Sequence, residues 1–307
     1  MGTQGFSPRS RNDAQLVRFG TEAARIELAG ARASSKLEIE VTLRPGDAKK
    51  ARLNGAPLRA AEQLRSEVST LVFTPDRLVV VKGGPAARRA YFDRALGRLF
   101  PARAGVPAEY GAAVAQRNAA LRRVAISASS LDAVSPWTER VAELGGTLVE
   151  ARREAITMLR PLFVERADEL GLPGGDLRYE AEPPTTEALQ ARLDDDLDRG
   201  TTGLGPHLDD VEIRADARDL RRFGSQGEQR LAVLSLILAE AALLVERGPA
   251  PPLLLLDDVL SELDEGRRAA LAERLSGHGQ TLITATAASA LPAEPAQLVE
   301  VTPGVAR

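Results

Sequence analysis

Alternating apolar and polar positions mark the first part of the chain. Over residues 24–43 the alternation predicts two antiparallel strands joined by a turn. Asn54-Gly55 lies between two short extended pieces and indicates a β-hairpin. A further buried strand is predicted over residues 68–73, where Pro75 ends it. Residues 1–84 are therefore predicted to form mainly antiparallel sheet.

Helical spacing replaces this alternation in the middle of the chain. Apolar residues recur at helical intervals over residues 86–99 and 109–124. A longer helix is predicted over residues 138–170, with a break or kink at Pro161. Its alternating charges indicate an arm that stands partly free of the core. These helices define a predicted helical insertion lobe, residues 85–172.

Strands and helices alternate toward the end of the last segment, residues 173–307. The pattern predicts helices over residues 226–246 and 265–275 and a strand over residues 280–285. A second strand is predicted between the two helices, where four leucines follow one another. Alternating strands and helices favour a parallel sheet.

The leucine run, residues 253–256, is followed directly by Asp257 and Asp258. It predicts a buried strand that delivers both carboxylates to its carboxyl end. In P-loop NTPases an acidic residue in this place helps to hold Mg²⁺ against the nucleotide phosphates. Considered alone, the run fits an ordinary core strand with a helix-capping acid equally well. Upstream, Ser225 in GSQGEQR is predicted to cap a helix whose first amides can bind an anion.

Composition limits the possible functions. The 307 residues suffice for one large domain or two ordinary ones, and 44% apolar with 27% charged residues is typical of a soluble globular protein. No run of about 18 apolar residues occurs, and the start lacks the apolar core of a signal peptide. We therefore expect a cytoplasmic protein without a membrane span. Because the net charge is −3, any nucleic-acid surface must be a local patch.

The lysines exclude one nucleotide-binding motif from this stretch of sequence. The four lysines are Lys36, Lys49, Lys50 and Lys82, and none of them follows a glycine. A P-loop, G-x-x-x-x-G-K-[ST], requires Gly-Lys because its amides wrap the phosphates while the lysine reaches over them. The 307 residues therefore contain no P-loop.

Seven segments together resemble the RecF family of bacterial recombination and repair proteins, and they follow the order of that family over essentially the whole chain. FGSQGEQR and LLLLDDVLSELD also resemble the signature motif and the Walker B strand with its D-loop of ABC-type ATPases. In chain order the seven segments are RLNGAPL from Arg52, VFTPDRLVVVKGGPAARRAYFD from Val72, QRNAALRR from Gln116, GPHLDD from Gly205, FGSQGEQR from Phe223, LLLLDDVLSELD from Leu253 and TLITAT from Thr281.

The resemblance implies an α/β fold, an incomplete ABC/SMC-like ATPase head that combines a mixed sheet, partly antiparallel, with a helical insertion lobe. It also implies a cytoplasmic protein that binds ATP with Mg²⁺ and dimerises around two nucleotides. Proteins of this family bind DNA at junctions of single and double strands and assist the loading of RecA at gaps. The partners implied are therefore DNA, RecO, RecR and RecA.

The resemblance also assigns roles to single residues. Asp257 would be the Mg²⁺ ligand, directly or through water. Asp258 lies where most ABC proteins have the glutamate that positions the attacking water, so it would be the catalytic residue. The signature loop would face the γ-phosphate of a nucleotide held by the opposite subunit. The loop residues concerned are Gly224, Ser225, Gln226 and Gly227.

Further residues carry weaker expectations. Asp264 would cross the dimer interface, and Thr284 lies near the position of the switch histidine of other ABC ATPases. His207 is either an ordinary loop histidine or a residue linked to the nucleotide or the interface. Trp137 and Tyr91 are interpreted as core residues, since they lack the spacing of a stacking platform. Arginines on the predicted lobe are either solvated helix faces or DNA-backbone contacts: Arg88, Arg89, Arg117, Arg122 and Arg123.

The family resemblance places a strand pair and a P-loop ahead of the segment RNDAQLVRFG. Two explanations are open: a start placed too far downstream, and a truncated relative that no longer hydrolyses ATP. The otherwise intact motifs favour the first. We expect these 307 residues to show no Mg²⁺-dependent ATP turnover above an Asp257→Asn control. An alternative function is a non-catalytic DNA-binding or scaffold subunit that pairs with a complete RecF-like ATPase.

Overall fold

The computed structural model describes residues 1–5, 7, 12–32, 35–248, 250–261, 263–275, 279–291, 293–303 and 305–307. The chain divides into two compact units. The first unit comprises Met1–Pro75 and Ala241–Arg307, and the second comprises Asp76–Glu240. The division at residues 1–84, 85–172 and 173–307 stays a prediction.

The strands are β1 (Ala24–Arg32), β2 (Ser35–Leu43), β3 (Lys50–Leu53), β4 (Ala56–Pro57), β5 (Thr70–Phe73), β6 (Asp176–Arg178), β7 (Glu212–Ala215), β8 (Arg218–Asp219), β9 (Leu253–Asp257), β10 (Thr281–Thr284), β11 (Val301–Thr302) and β12 (Val305–Ala306). The α-helices are α1 (Leu64–Glu67), α2 (Val79–Lys82), α3 (Pro85–Leu99), α4 (Val106–Ala125), α5 (Ser135–Glu169), α6 (Thr186–Ala191), α7 (Leu193–Arg199), α8 (Leu220–Phe223), α9 (Gln226–Arg247) and α10 (Glu265–Leu275). Short 3₁₀ turns span Asp13–Leu16, Ala61–Gln63, Pro75–Leu78, Pro101–Arg103, Leu131–Ala133 and Ala288–Ala290.

The first unit contains the predicted antiparallel sheet, in the order β1-β2-β3-β4. Ile39, Val41 and Leu43 alternate along β2 and enter one buried cluster, as the apolar pattern predicts. The predicted hairpin joins β3 and β4 through Asn54-Gly55, both with positive φ, as a two-residue turn requires. The predicted turn between β1 and β2 lies outside the described residues.

A second sheet in the first unit is parallel and has the order β10-β9-β5. Its pairing of β9 with β10 confirms the parallel arrangement predicted for the end of the chain. β5 is the buried strand predicted over residues 68–73, and it is an exception to the mainly antiparallel pattern of this region, because it pairs with β9 in parallel. A pairing between such distant segments leaves no local signal, because it depends on long-range contacts. β9 is thereby the central strand of this sheet.

Helices dominate the second unit, and α5 is the longest of those described. It continues through Pro161, so the predicted break is absent. Leu159 and Phe163, on either side of the proline, are fully buried, and this packing supports the helix where Pro161 removes a hydrogen bond. Buried residues extend from Thr138 to Ala167, and α5 packs against α3 and α4. It is therefore not an arm that stands free of the core.

The small antiparallel sheet β6-β7-β8 also belongs to the second unit. Asp216 and Ala217 form the two-residue turn between β7 and β8, both with positive φ. This turn fixes the register of β8, which leads directly into α8 and the start of α9. Of the helices that the structure describes, none combines the length and apolarity needed to cross a membrane.

Candidate functional site

The carboxyl ends of β9 and β10 bring Asp257 and Thr284 together as cross-strand neighbours. The Thr284 hydroxyl donates to Asp257 Oδ1 at 2.8 Å and accepts from the Asp258 backbone N–H at 3.0 Å. Asp258 has a φ of 50°, the left-handed region that aspartate tolerates better than most residues. The strand therefore ends at Asp257 and not at Asp258, and one threonine holds both aspartates in place.

This polar edge has the chemistry that Mg²⁺ requires. A magnesium ion prefers oxygen ligands and usually takes one or two carboxylates, completing its shell with phosphates and water. Among the described residues, no group of three or more His, Cys, Asp or Glu side chains could hold a metal. Asp257 and Asp258 are the residues at this edge that would hold such an ion.

The predicted D-loop follows the strand and leads into α10. Asp264 is exposed and caps this helix, because Oδ1 accepts from the Arg267 backbone N–H at 2.9 Å. Its other oxygen pairs with the Arg267 guanidinium at 3.3 Å. Glu262, also part of the predicted loop, lies outside the described residues. Asp264 thus has a local structural role, and its contact across a dimer interface stays a prediction.

In the second unit, the signature loop begins α9 with a capping box. The Glu228 backbone N–H donates to Ser225 Oγ at 3.2 Å, and the Ser225 backbone N–H donates to Glu228 Oε2 at 2.7 Å. The hydrogen bond from the Ser225 backbone N–H is the main cause that lowers the pKa of the Glu228 carboxyl, and the Ser225 side chain contributes next. By helix geometry the next backbone N–H groups, those of Gln226 and Gly227, have no intrahelical acceptor. They are the donors that this helix start can offer to an anion.

The two glycines of the signature loop serve different purposes. A Cβ at Gly224 would lie 2.5 Å from the Leu220 carbonyl oxygen, so the close approach to α8 requires glycine there. A Cβ at Gly227 would meet only Ser225 Oγ, at 3.9 Å. The subunit itself therefore does not need glycine at position 227. Its Cα instead leaves open space at the helix start.

His207 is held within the second unit through both ring nitrogens. Its Nδ1 lies 2.7 Å from the Tyr110 hydroxyl, and its Nε2 lies 2.9 Å from the Thr202 carbonyl oxygen. Because a carbonyl only accepts, Nε2 carries the proton and Nδ1 accepts from the tyrosine. Burial lowers the pKa of His207, which favours this neutral form. The geometry favours the ordinary structural alternative, and a nucleotide-linked role stays a prediction.

Arg117 lies at the centre of a buried polar cluster. It has 0% exposure, pairs with Asp196 at 2.6 Å and donates to the hydroxyls of Thr138 and Thr202 at 3.0 Å. Asp196, equally buried, accepts in addition from the Gly203 backbone N–H at 2.9 Å. A buried ion pair of this kind requires such additional bonds to offset desolvation. Arg117 therefore joins α4, α5, α7 and the loop after α7.

Arg88 has a similar role at the start of α3. Its guanidinium makes two bonds of 2.6 Å to Asp210 and further bonds to the Val81 and Gly83 carbonyl oxygens. Arg89, half-buried, donates to the Asp209 carbonyl oxygen at 2.6 Å. The two arginines therefore fix the GPHLDD loop to α3.

These positions correct part of the predicted DNA contact. A guanidinium that is buried and bonded to protein acceptors cannot reach a DNA phosphate, so the structure contradicts this role for Arg88 and Arg117. Arg122 and Arg123 are exposed, and their DNA contact, like that of Arg89, stays a prediction. The interpretation of Trp137 as core is also wrong, because 36% of its surface is exposed.

Tyr91 is buried, as predicted, and its hydroxyl donates to Glu240 at 3.1 Å. Sequence reasoning missed Glu240 and the second partner of this carboxylate, Arg98. It also missed Arg152, which binds Asp93 through two bonds of 2.7 and 2.9 Å. A signal for the buried arginines exists: Arg88 and Arg152 fall on the apolar stripes of their helices.

No protein-family model matches the chain. Curated relatives do match it. The DNA replication and repair protein RecF of Acidothermus cellulolyticus is 36% identical over 299 residues, which cover 91% of this chain and 80% of the relative. The protein of the same name from a Synechococcus strain is 34% identical over 297 residues, covering 91% and 78%.

Solved structures agree with these relatives. The recombination mediator protein RecF of the RecFOR pathway, in its ATPrS form, has a TM-score of 0.84 at 25% identity and covers 99% of this chain and 85% of its own. An Smc head domain of Pyrococcus yayanosii has a TM-score of 0.52 at 14% identity, covering 90% and 80%, a likeness of fold alone. The fold is therefore that of the class of SMC-like head domains. Within that class, the chain belongs to the RecF family.

Proposed function

We propose that the protein is a DNA- and ATP-binding head of RecF type that acts at gaps during replication and repair. In this role Asp257 and Asp258 hold Mg²⁺ and its nucleotide, with Thr284 orienting both. The signature loop, from Gly224 to Gly227, faces the nucleotide of a second subunit. RecO, RecR and RecA are the partners proposed on the resemblance, and single-strand/double-strand junctions are the proposed DNA.

One observation carries the proposal: Thr284 bridges the carboxylate of Asp257 and the backbone of Asp258 at the end of a central parallel strand. An ordinary helix-capping acid does not need this arrangement, since Asp264 caps the next helix instead. Mg²⁺, when bound, would neutralise phosphate charge at this edge. The open Cα of Gly227 supports a second contact, in which the donors at the start of α9 meet a γ-phosphate.

DNA binding is tested by fluorescence anisotropy with a gapped duplex and a blunt duplex of equal length. We expect tighter binding to the gapped DNA, because the junction exposes single strand beside duplex. A competitor series with unlabelled DNA of both kinds excludes an effect of the dye. Equal affinity for both substrates, or no binding to either, would contradict the proposed role.

The nucleotide part is tested by sedimentation in the presence of ATP and Mg²⁺. We expect ATP-dependent dimers of the unaltered protein. They should be lost in Ser225→Arg, because the longer, cationic side chain fills the helix start, and they should be weakened in Asp257→Asn. Thr147→Arg, which adds the same charge on the exposed face of α5, serves as the control. Dimers that persist in Ser225→Arg would show that the signature loop does not read a nucleotide.

A second candidate is a non-catalytic scaffold subunit that presents the signature loop to the ATP of a complete RecF-type partner. The observation that favours it is the open helix start at Gly227, which could face a nucleotide held by any second subunit. It predicts no ATP-dependent dimer of this chain alone. It also predicts an ATP-dependent heterodimer with a P-loop-bearing RecF subunit, lost in Ser225→Arg. Mixing the two subunits in the sedimentation experiment decides between the candidates.

A further inference from the structure

An exposed aromatic ring lies among arginines directly before the signature loop. Phe223 ends α8 with 65% of its surface exposed, and the Arg222 side chain beside it is 76% exposed. Arg221 and Arg218, also exposed, precede them on α8 and β8. We call these four residues, Arg218, Arg221, Arg222 and Phe223, the arginine–phenylalanine surface.

The free positive charge of the surface lies on Arg221 and, in part, on Arg222, because Arg218 is already paired with Glu228 at 3.1 Å. The surface borders an open cavity of about 450 Å³ whose lining contains five arginines and three carboxylates. The carboxylate of Asp210 is already bonded twice by the buried Arg88. Asp219 caps α8 and reaches Arg222 only at 4.0 Å. Within the described part of the chain, the Arg221 guanidinium has no hydrogen-bond or ion-pair partner.

The ring is presented by rigid elements. The fully buried Leu220 anchors α8, and the buried side chain of Gln229 donates to the carbonyl oxygens of Leu220 and Gly224 at 2.9 and 3.2 Å. The two-residue turn between β7 and β8 fixes the strand that leads into α8. Phe223 is therefore held in water, although burial of such a side chain stabilises a fold. A single exposed ring is ordinary at a protein surface, but the position of Phe223 beside exposed arginines makes this ring available for stacking.

The chemistry of the surface selects single-stranded nucleic acid. Aromatic rings stack on unpaired bases of any sequence, while arginines bind the phosphates on either side. In duplex DNA the base faces are stacked on one another and cannot meet Phe223. The adjacent cations also suit a chain of phosphates better than an apolar protein surface.

We propose that the arginine–phenylalanine surface binds single-stranded DNA, with one base stacked on Phe223 and flanking phosphates bound by Arg221 and Arg222. The inference rests on the proposed DNA-binding function and adds a location and a strand preference to it. In this proposal the single strand binds next to Ser225, so that neighbouring parts of one loop would contact the DNA and the nucleotide.

Affinity for an oligo-dT strand tests the surface first. We expect Phe223→Ala to weaken binding roughly tenfold, because it removes one stacked base. Phe223→Tyr should retain affinity, since it keeps the ring. Phe19→Ala, which removes another aromatic ring that is fully exposed, is the matched control and should have no effect. An unchanged affinity in Phe223→Ala would overturn the proposal for this surface. The proposed DNA-binding function is tested separately, by gapped-duplex binding of the unaltered protein.

The phosphate contacts are tested by salt dependence. We expect the combined change Arg221→Gln and Arg222→Gln to reduce the slope of log affinity against log salt by about 1.4, since each single-strand phosphate contact contributes about 0.7. Arg199→Gln, an exposed arginine of α7, is the control. A slope that does not change shows that these guanidiniums bind no phosphate, and it overturns that part of the proposal.

A direct probe of stacking is available because Trp137 is the only tryptophan of the chain. Phe223→Trp in a Trp137→Phe background reports on position 223 alone. We expect oligo-dT to quench its fluorescence and blunt duplex to leave it unchanged. Quenching by ATP with Mg²⁺ but not by oligo-dT would assign the ring to a nucleotide instead. Quenching that rises with protein concentration without DNA would assign it to contact with a second copy. Either result overturns the proposal.

Discussion

Arg117 and Arg123 lie on the same helix, α4, and face opposite environments. Arg117 has no accessible surface and is bonded to a buried aspartate and two threonines, whereas Arg123 is exposed. Both belong to the same run of basic residues, QRNAALRR. A basic run on a helix can therefore contain both buried, ion-paired arginines and exposed arginines, and the face of the helix on which each lies decides which kind it is.

The same contrast holds between α3 and α8. Arg88 is buried against Asp210, while Arg221 and Arg222 are open to water beside an exposed ring. A buried arginine specifies how helices and loops pack, because each of its donors must find an acceptor. An exposed arginine without a carboxylate partner is available for a phosphate. Substitution of each kind of arginine should therefore have a different effect on stability.

The largest effect is expected for Arg117→Ala. Removing the cation leaves the buried Asp196 carboxylate without its ion pair, which should lower the free energy of unfolding by about 3–5 kcal/mol. Urea unfolding followed by circular dichroism measures the loss. Arg123→Ala, on the exposed face of the same helix, should change it by less than about 0.5 kcal/mol. Similar losses of unfolding free energy in both variants would contradict the distinction between buried and exposed arginines.

A smaller loss, about 2 kcal/mol, is expected for Arg88→Ala, at the low end for a broken interior charge pair. The reason is that Asp210 is partly open to water and can be solvated when its partner is removed. The same unfolding experiment compares it with Arg222→Ala, which should be neutral. If Arg88→Ala lowered the free energy of unfolding as much as Arg117→Ala, the solvent access of Asp210 would not explain the smaller predicted loss.

Ser225→Ala should cost about 1 kcal/mol, because it removes the hydroxyl that caps α9. Thr185→Ala, which removes the equivalent cap of α6, provides a matched comparison. The two changes should have similar effects on unfolding, since both hydroxyls cap a helix. Only Ser225→Ala should alter nucleotide-dependent dimers. If Ser225→Ala and Thr185→Ala gave the same result in the dimer assay, Ser225 would have no role beyond capping α9.

The smallest effect concerns pH. Burial lowers the pKa of His207 below its ordinary value of 6.5, so the unfolded chain takes up a proton before the folded chain does. Stability should therefore be complete above pH 6.5 and decrease as the pH falls toward the lowered pKa. His207→Gln should show a flatter profile over that interval in urea unfolding. A profile identical to that of the unaltered protein would assign the dependence to other groups.

Much of the fold was predictable from local pattern. The alternation in β2, the Asn54-Gly55 turn and the leucine run of β9 each carry a short-range signal, and each forms the expected element. The parallel pairing of β5 with β9 carried none, since the two strands are far apart in the chain. Trp137 was assigned to the core by residue type, although its position at the start of α5 leaves it partly exposed.

The burial of Arg117 was also predictable from the sequence. Tyr110, Val114, Arg117 and Leu121 follow one another at helical intervals and are all buried, so the position of Arg117 on the apolar stripe was visible in advance. Its partners were not visible, because Asp196 and Thr202 come from other elements. Phe223 offers the opposite case, since nothing in its local sequence shows that its ring remains in water.

The sequence by itself determined the family, the order of the elements and the strand that leads to Asp257 and Asp258, because motifs and periodicity are local properties. Only the tertiary structure decided that Thr284 joins these two aspartates, that Arg88 and Arg117 are packing residues, and that the arginine–phenylalanine surface is exposed. Burial and hydrogen-bond partners depend on contacts between segments that are distant in sequence, and these contacts exist only in the folded chain.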